Sequence, residues 1–145
     1  MAIRILLADD HKLILEALSR FLGSQENLEV VGEAKDGVTA VELVEKLHPD
    51  IVIMDVSMPP VLSGLEATRW ICGRWPDVKV IALSMHKSKQ YVAEMFKAGA
   101  RGYMLKDSDY DDLLTAIRTV TGGAIYVSPG VEVDASLTES RKQGQ

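Results

Sequence analysis

Short apolar runs alternate with longer amphipathic stretches along this chain. The runs are Ile3–Ala8, Leu28–Val31, Ile51–Met54, Lys79–Leu83 and Gly102–Leu105. Most are rich in Val or Ile, the pattern of strands covered on both faces. Their starts lie 25, 23, 28 and 23 residues apart. That spacing fits one strand plus one crossover helix per unit and predicts a parallel sheet. The stretches between them repeat apolar residues at helical spacing. Ile14, Ala17, Leu18 and Phe21 form one inner face, and Ala40, Leu43, Val44 and Leu47 a second. Val92, Met95, Phe96 and Gly99 form another, as do Tyr110, Leu113, Leu114 and Ile117. The stretch from Leu65 to Trp75 is less regular, with Ala67, Trp70 and Ile71 as its expected inner side. Ser63 with Glu66 three residues later reads as a capping box, and Asp36 and Ser108 suit N-caps.

The pattern predicts (βα)5 over residues 3–122. Five units are too few for a closed eight-stranded barrel. The expected fold is therefore α/β and doubly wound, flavodoxin-like, with a five-stranded parallel sheet in the order 2-1-3-4-5. After Tyr126 the chain turns polar, so residues 1–126 are expected to form the domain and 127–145 a linker or disordered tail.

Composition narrows the function. A chain of 145 residues, 47% apolar and 26% charged, is one soluble domain. Its net charge of −5 suits it poorly to gripping nucleic acid by itself. The single cysteine, Cys72, excludes an internal disulfide or a Cys-based zinc cluster, and its apolar setting predicts a buried thiol. No apolar run reaches the length of a membrane span, and Asp9-Asp10 directly after the opening run fits no secretory signal. A cytoplasmic location without membrane attachment is expected. The acidity lies mainly in residues 1–50, net −5, where it can serve a cation as well as solubility.

Open α/β sheets bind ligands beyond the carboxyl ends of their strands, here between the first and third. The residues at those ends are Asp9-Asp10, Asp55, Ser84 and Lys106. Singly, each reads as an N-cap or a solvated loop residue. Together, three acids at one edge repel one another unless a cation relieves them. Hard oxygen ligands with accessible water suit Mg²⁺. On this reasoning, removing one of the charges, as in Asp55→Asn, is expected to raise stability. Mg²⁺ beside a Lys and a hydroxyl suits phosphoryl oxygens.

Four segments resemble the receiver domain of bacterial two-component response regulators: Ile5-Leu6-Leu7-Ala8-Asp9-Asp10-His11, Asp50 to Pro59, Ala82-Leu83-Ser84, and Gly99 to Lys106. Within that family the chain is most similar to the NarL-like group with LuxR-type output, on Leu83-Ser84-Met85-His86 and Lys106-Asp107. The resemblance implies that Asp55 accepts a phosphoryl group from a histidine kinase. It implies Mg²⁺ ligation by Asp10, Asp55 and the Ser57 backbone carbonyl, with Asp9 acting through a metal-bound water. Lys106 and the Ser84 hydroxyl would each bind a phosphoryl oxygen. Ser84 and Tyr103 would switch the face built by the fourth helix, fifth strand and fifth helix. Ser57, Met85 and His86 would tune the lifetime of the acyl phosphate by screening the path of water. His11 reads as a helix-start residue rather than a ligand.

The implied protein is a signalling switch rather than an enzyme, although it assists its own phosphoryl transfer and dephosphorylation. A homodimer on phosphorylation is a possible partner state, and DNA would be reached only through a helix-turn-helix output domain outside this chain. The alternative is a free-standing or phosphate-independent docking receiver. An aspartyl phosphatase needs a second acid two residues after the nucleophile, where Ser57 stands. A flavodoxin-type carrier needs a phosphate loop after the first strand, where Asp9-Asp10 repel phosphate. One departure from the family is an extra residue in the Pro60–Ser63 loop, which is expected to alter the loop's shape.

Overall fold

The computed structural model describes residues 2–58 and 63–131. The altered loop, apart from Ser63, and the segment 132–145 lie outside the described residues. The elements are β1 (Ile3–Ala8), α1 (Lys12–Gly23), β2 (Leu28–Ala34), α2 (Gly37–Leu47), β3 (Ile51–Asp55), α3 (Gly64–Arg74), β4 (Lys79–Ser84), α4 (Lys89–Lys97), β5 (Gly102–Leu105), α5 (Tyr110–Thr121) and β6 (Tyr126–Val127). All strand pairs are parallel, in the order β2-β1-β3-β4-β5-β6.

Alternate residues of each central strand feed opposite cores. Ile5, Leu7, Ile51, Ile53, Ile81 and Leu83 meet Leu15 and Leu22 of α1 and Leu113, Ile117 and Val120 of α5. Leu6, Ala8, Val52, Met54 and Val80 meet Ala40 and Val44 of α2 and Ala67 and Ile71 of α3. On that second face, Val92, Met95 and Phe96 of α4 cover Ala82 and Tyr103. Burying each large aliphatic side chain contributes about 1.5–3 kcal/mol, and a one-residue slip of a strand would hand each side chain to the opposite core and break the packing of both. Because these strands run parallel, the carboxyl ends of β1, β3, β4 and β5 lie at one edge.

The expected caps of two helices form. Asp36 accepts from Thr39 N at 2.7 Å, and Ser63 and Glu66 make the capping box of α3. At α5 the N-cap is Asp109, accepting from Asp112 N, and not Ser108. The inner face of α1 is also rotated from the expected one. Leu15 and Leu22 are buried, with Leu18 and Phe21 partly so, whereas Ala17 is exposed. Apolar residues cover a broad arc of this helix, wider than one buried stripe, and Leu13 at its margin is 80% exposed, so periodicity alone allowed two faces. Trp70 is likewise on the outside of α3, where the Arg74 guanidinium lies 5.5 Å from its ring centroid and 5.3 Å from that of Trp75. That stacking gives the indole an apolar and cationic neighbour without core space. Cys72 is only partly buried, and it packs so closely on Gly99 that a Cβ there would collide with it; Gly99 also has φ of +113°.

A sixth strand extends the expected five. Tyr126 N donates to Arg101 O and Ser128 N to Tyr103 O, each at 3.0 Å. Without it, β5 would be an edge strand with unpaired backbone groups. The Ser128 side chain is buried and accepts from Leu105 N at 3.1 Å. The ordered sheet thus continues past Tyr126, through two residues that look like the start of a polar tail.

Ser128→Ala is expected to leave the Leu105 N–H buried and unsatisfied, costing about 1–3 kcal/mol in urea unfolding. Ser108→Ala removes only a 3.4 Å contact with the same hydroxyl and is expected to cost clearly less.

Candidate functional site

The sheet edge brings Asp9, Asp10, Asp55, Ser84 and Lys106 together as the spacing of the strands predicts. Asp9 and Asp10 follow β1, Asp55 ends β3, Ser84 ends β4 and Lys106 follows β5. Sheet hydrogen bonds run on beyond the strands and hold these residues in register. Asp9 N donates to Ala34 O, Val56 N to Leu83 O and Lys106 N to Ser84 O, each at 2.9 Å. Gly64, the first residue of α3, lies directly against the Asp55 carbonyl oxygen, and any Cβ there would collide with it.

Asp9 and Asp55 are almost out of water, at 1% and 0% exposure. Asp10 keeps 32% of its side chain exposed. Asp55 Oδ1 accepts from Ser57 N at 3.1 Å and from Ser57 Oγ at 3.0 Å. Its other oxygen, Oδ2, lies 3.0 Å from Lys106 Nζ, and Asp9 Oδ2 lies 3.5 Å from the same ammonium. The ammonium approaches both as an ion pair rather than an aligned hydrogen bond, and both Oδ2 atoms are buried without a hydrogen-bond donor.

Electrostatics separate the two acids. Burial raises the Asp9 carboxyl and the charge of Asp55 adds to this; hydrogen bonds from His11 and the charge of Lys106 only partly oppose the rise. Burial also acts to raise Asp55, but Lys106 and the two Ser57 donors outweigh it and hold Asp55 below the ordinary carboxylate value. The cost of crowding therefore falls on Asp9, and Asp55 stays ionised. This corrects the expectation that Asp55→Asn relieves the fold.

His11 departs from its expected place outside the site. Its backbone N–H and its Nδ1 both lie 2.8 Å from Asp9 Oδ1. Nδ1 is also 3.2 Å from Asp10 Oδ1 and 3.8 Å from Asp55 Oδ2. Ligand atoms of Asp9, Asp10, His11 and Asp55 all fall within 4.8 Å of one another. Nothing in the residue pattern distinguishes such a His from a solvated helix start; only its rotamer does.

Ser84 and Tyr103, the expected switch pair, both bind the backbone of His86. Ser84 Oγ accepts from His86 N at 3.0 Å, and Tyr103 Oη donates to His86 O at 2.8 Å. Tyr103 is buried, and its hydroxyl is pushed up from its ordinary value by burial. The His86 ring stacks on Tyr91 of α4, with centroids 3.9 Å apart and planes 5° from parallel. Met85 is 68% exposed and Ser57 is exposed.

The sequence profile of the response regulator receiver domain matches residues 5–118. The chain belongs to the response regulator receiver family. The transcriptional regulatory protein DegU of Brevibacillus brevis is 46% identical over 129 residues, 89% of this chain and 54% of that protein. The oxygen regulatory protein NreC of Staphylococcus carnosus is 41% identical over 126 residues, 87% of this chain and 58% of that protein. The chain thus spans about half the length of the curated relatives it matches. A LuxR-family response regulator of Aurantimonas sp. SI85-9A1 superposes with a TM-score of 0.85 at 31% identity, each chain being covered completely. The receiver domain of RcsB from Salmonella enterica, solved with a beryllofluoride phosphomimetic, superposes with a TM-score of 0.82 at 25% identity, over 90% of this chain and 96% of that one. Among the described residues, no helix of this receiver domain is long and apolar enough to cross a membrane.

Asp9→Asn is expected to raise the melting temperature at neutral pH in chelator. The wild-type Asp9 carboxyl is raised in the fold, so its ionisation above that value disfavours the native state, and protonation relieves this as the pH falls. The gap between variant and wild type should therefore narrow as the pH is lowered through the Asp9 transition, as thermal melts across pH can show.

Proposed function

We propose that this receiver takes a phosphoryl group on Asp55 from a histidine kinase and relays its arrival to the face formed by α4, β5 and α5. The observation that carries this reading is the state of Asp55: buried, held ionised, with one oxygen tied by Ser57 and the other facing the Lys106 ammonium. Oδ2 is then the attacking atom. It forms the bond to phosphorus as the bond from phosphorus to the donor nitrogen breaks, and the electron pair leaves with the donor's imidazole. Lys106, 3.0 Å from Oδ2, holds a positive charge where the phosphoryl oxygens arrive.

A divalent ion fits the cluster of carboxylate oxygens at this edge, and the oxygen set suits Mg²⁺. Asp10, Asp55 and the Ser57 carbonyl would hold it directly, and Asp9 through a water. Bound there, Mg²⁺ supplies further neutralisation of phosphoryl charge. The Ser84 hydroxyl can hold His86 N–H or a phosphoryl oxygen, so its commitment to the latter loosens the β4–α4 connection that Tyr103 still grips. Tyr103 is already buried, so the switch needs no entry from solvent and works through the His86 backbone. Ser57 is small and lacks a carboxamide to place a hydrolytic water, whereas Met85 flanks the entrance; His86 acts on lifetime through its stack on Tyr91. The receiver is thus a phosphoacceptor that assists its own transfer and dephosphorylation.

The relatives named above are transcription and oxygen regulators, and RcsB has been solved as dimers bound to DNA. By this likeness, the phosphorylated receiver controls a helix-turn-helix output domain in the cytoplasm and pairs with a second copy. Residues 127–145 would lead toward that output.

Treatment with acetyl phosphate and Mg²⁺, followed by peptide mapping, is expected to place one phosphoryl group on Asp55. Chelator and Asp55→Asn should each abolish it. A stable label on another residue, undiminished in Asp55→Asn, would contradict the reading.

A further inference from the structure

We infer that residues 125–131 form a strap, latched by Ser128 while Asp55 is free and released when Asp55 carries a phosphoryl group, so that the switch passes into the chain that follows. The inference rests on the proposed phosphorylation of Asp55 and adds a route by which its effect leaves the domain. Three observations carry it.

The first is the way the sheet ends. Tyr126 N donates to Arg101 O and Ser128 N to Tyr103 O, as in a regular parallel ladder. The next rung would run from Leu105 N to Ser128 O. The Ser128 carbonyl accepts instead from Val131 N at 3.3 Å, in a turn with Pro129 at its second position and Gly130, with φ of +86°, at its third. The last rung is therefore made by the Ser128 side chain, whose Oγ accepts from Leu105 N at 3.1 Å. A hydroxyl on a rotatable side chain can give up this bond while the backbone ladder stays intact, which is the property of a latch.

The second is what the strap rests on. Ile125, Val127 and Val131 pack against the buried cluster that holds Tyr103 with Val92, Met95 and Phe96 of α4. Ser128 binds the backbone on both sides of Met104, at Tyr103 O through its N–H and at Leu105 N through its hydroxyl. Tyr103 grips the His86 carbonyl, and Lys106 follows Leu105 directly.

The third is steric. Lys106 Nζ lies 3.0 Å from Asp55 Oδ2, and its side chain is only 8% exposed. A phosphoryl group bonded to Oδ2 needs the space this ammonium fills, so Nζ must withdraw, and a side chain packed this closely moves the turn from Lys106 to Ser108 with it. Ser108 N donates to Leu105 O at 3.1 Å, and Ser108 Oγ lies 3.4 Å from Ser128 Oγ. Displacing the turn therefore shifts both neighbours of the Ser128 hydroxyl. Latch and phosphoryl group oppose each other, and by linkage each weakens the other by the same factor.

The test compares the 145-residue chain with its Ser128→Ala variant and with Val44→Ala, a core variant of α2 on the far side of the sheet order from the strap. Beryllofluoride with Mg²⁺ stands in for the phosphoryl group. Its binding is titrated by ¹⁹F nuclear magnetic resonance, and amide exchange is followed residue by residue. In wild type, the Leu105 and Ser128 amides are expected to exchange about fivefold or more faster once beryllofluoride is bound, with the amides of β1 unchanged. Ser128→Ala should exchange fast at Leu105 in both states and bind beryllofluoride more tightly by the same factor, although it is the less stable protein. Val44→Ala, also destabilised, should bind as wild type does, which separates the latch from stability. Should Ser128→Ala not fold, the wild-type exchange decides alone. Equal protection of Leu105 with and without beryllofluoride, or unchanged or weaker binding by a folded Ser128→Ala, would overturn the inference and leave Asp55 as the phosphoacceptor. Failure of wild type to bind beryllofluoride would overturn the proposed function itself.

Discussion

Asp9 and Asp55 stand side by side with almost no water, and one ammonium, Lys106, faces both. Two buried anions sharing one cation are short of positive charge, and in a protein interior that shortage is felt strongly. The fold distributes it unevenly. Ser57 gives Asp55 two donors, and Lys106 lies nearer to Asp55 than to Asp9. Asp55 keeps its charge easily, and Asp9 carries the cost. A site built this way attracts whatever brings positive charge.

The rest of the architecture keeps that arrangement from relaxing. A parallel sheet with both faces covered cannot let its strand ends drift, because each central strand is locked by two cores at once. β6 ties β5 in turn, and the Ser128 hydroxyl holds the Leu105 amide just before Lys106. The close approach of Gly64 to Asp55 sets the start of α3 under the acid. Site and surface are then joined by a single residue: the hydroxyls of Ser84 and Tyr103 hold the N–H and the carbonyl of His86, and its ring lies on Tyr91 of α4. A change in what Ser84 binds cannot stay local.

The strands and their order were legible in the sequence because a doubly covered strand must be apolar throughout, and the intervals between strands leave room for only one helix each. The acids, Ser84 and Lys106 were legible because strand ends are where such a sheet gathers chemistry. What escaped depended on choices that residue patterns do not record. Leu15 and Ile14 offered α1 two apolar faces, and packing against β1 and α5 selected the first. Trp70 reads as core by its size, yet Arg74 gives it a partner outside. Tyr126 and Val127 stand where a polar tail begins, and only the open edge of β5 makes them a strand. His11 sits in sequence beside the acid pair, but whether it joins the acids is decided by a side-chain rotation. Even Asp55 was misjudged in one respect: counting three like charges omitted the Ser57 donors that single it out.

The account turns on Lys106 as the shared counter-charge, and equilibrium unfolding of Lys106→Met tests this most directly. Removing one partner of a buried ion pair strands the other, at a cost of about 3–5 kcal/mol. In chelator the variant is expected to lose that much stability relative to wild type. Millimolar Mg²⁺, the ion proposed for this site, should restore a substantial part of the loss, because it brings charge to the same oxygens. A variant as stable as wild type in chelator, or a loss that Mg²⁺ leaves unchanged, would contradict the claim that these two carboxylates depend on a shared cation.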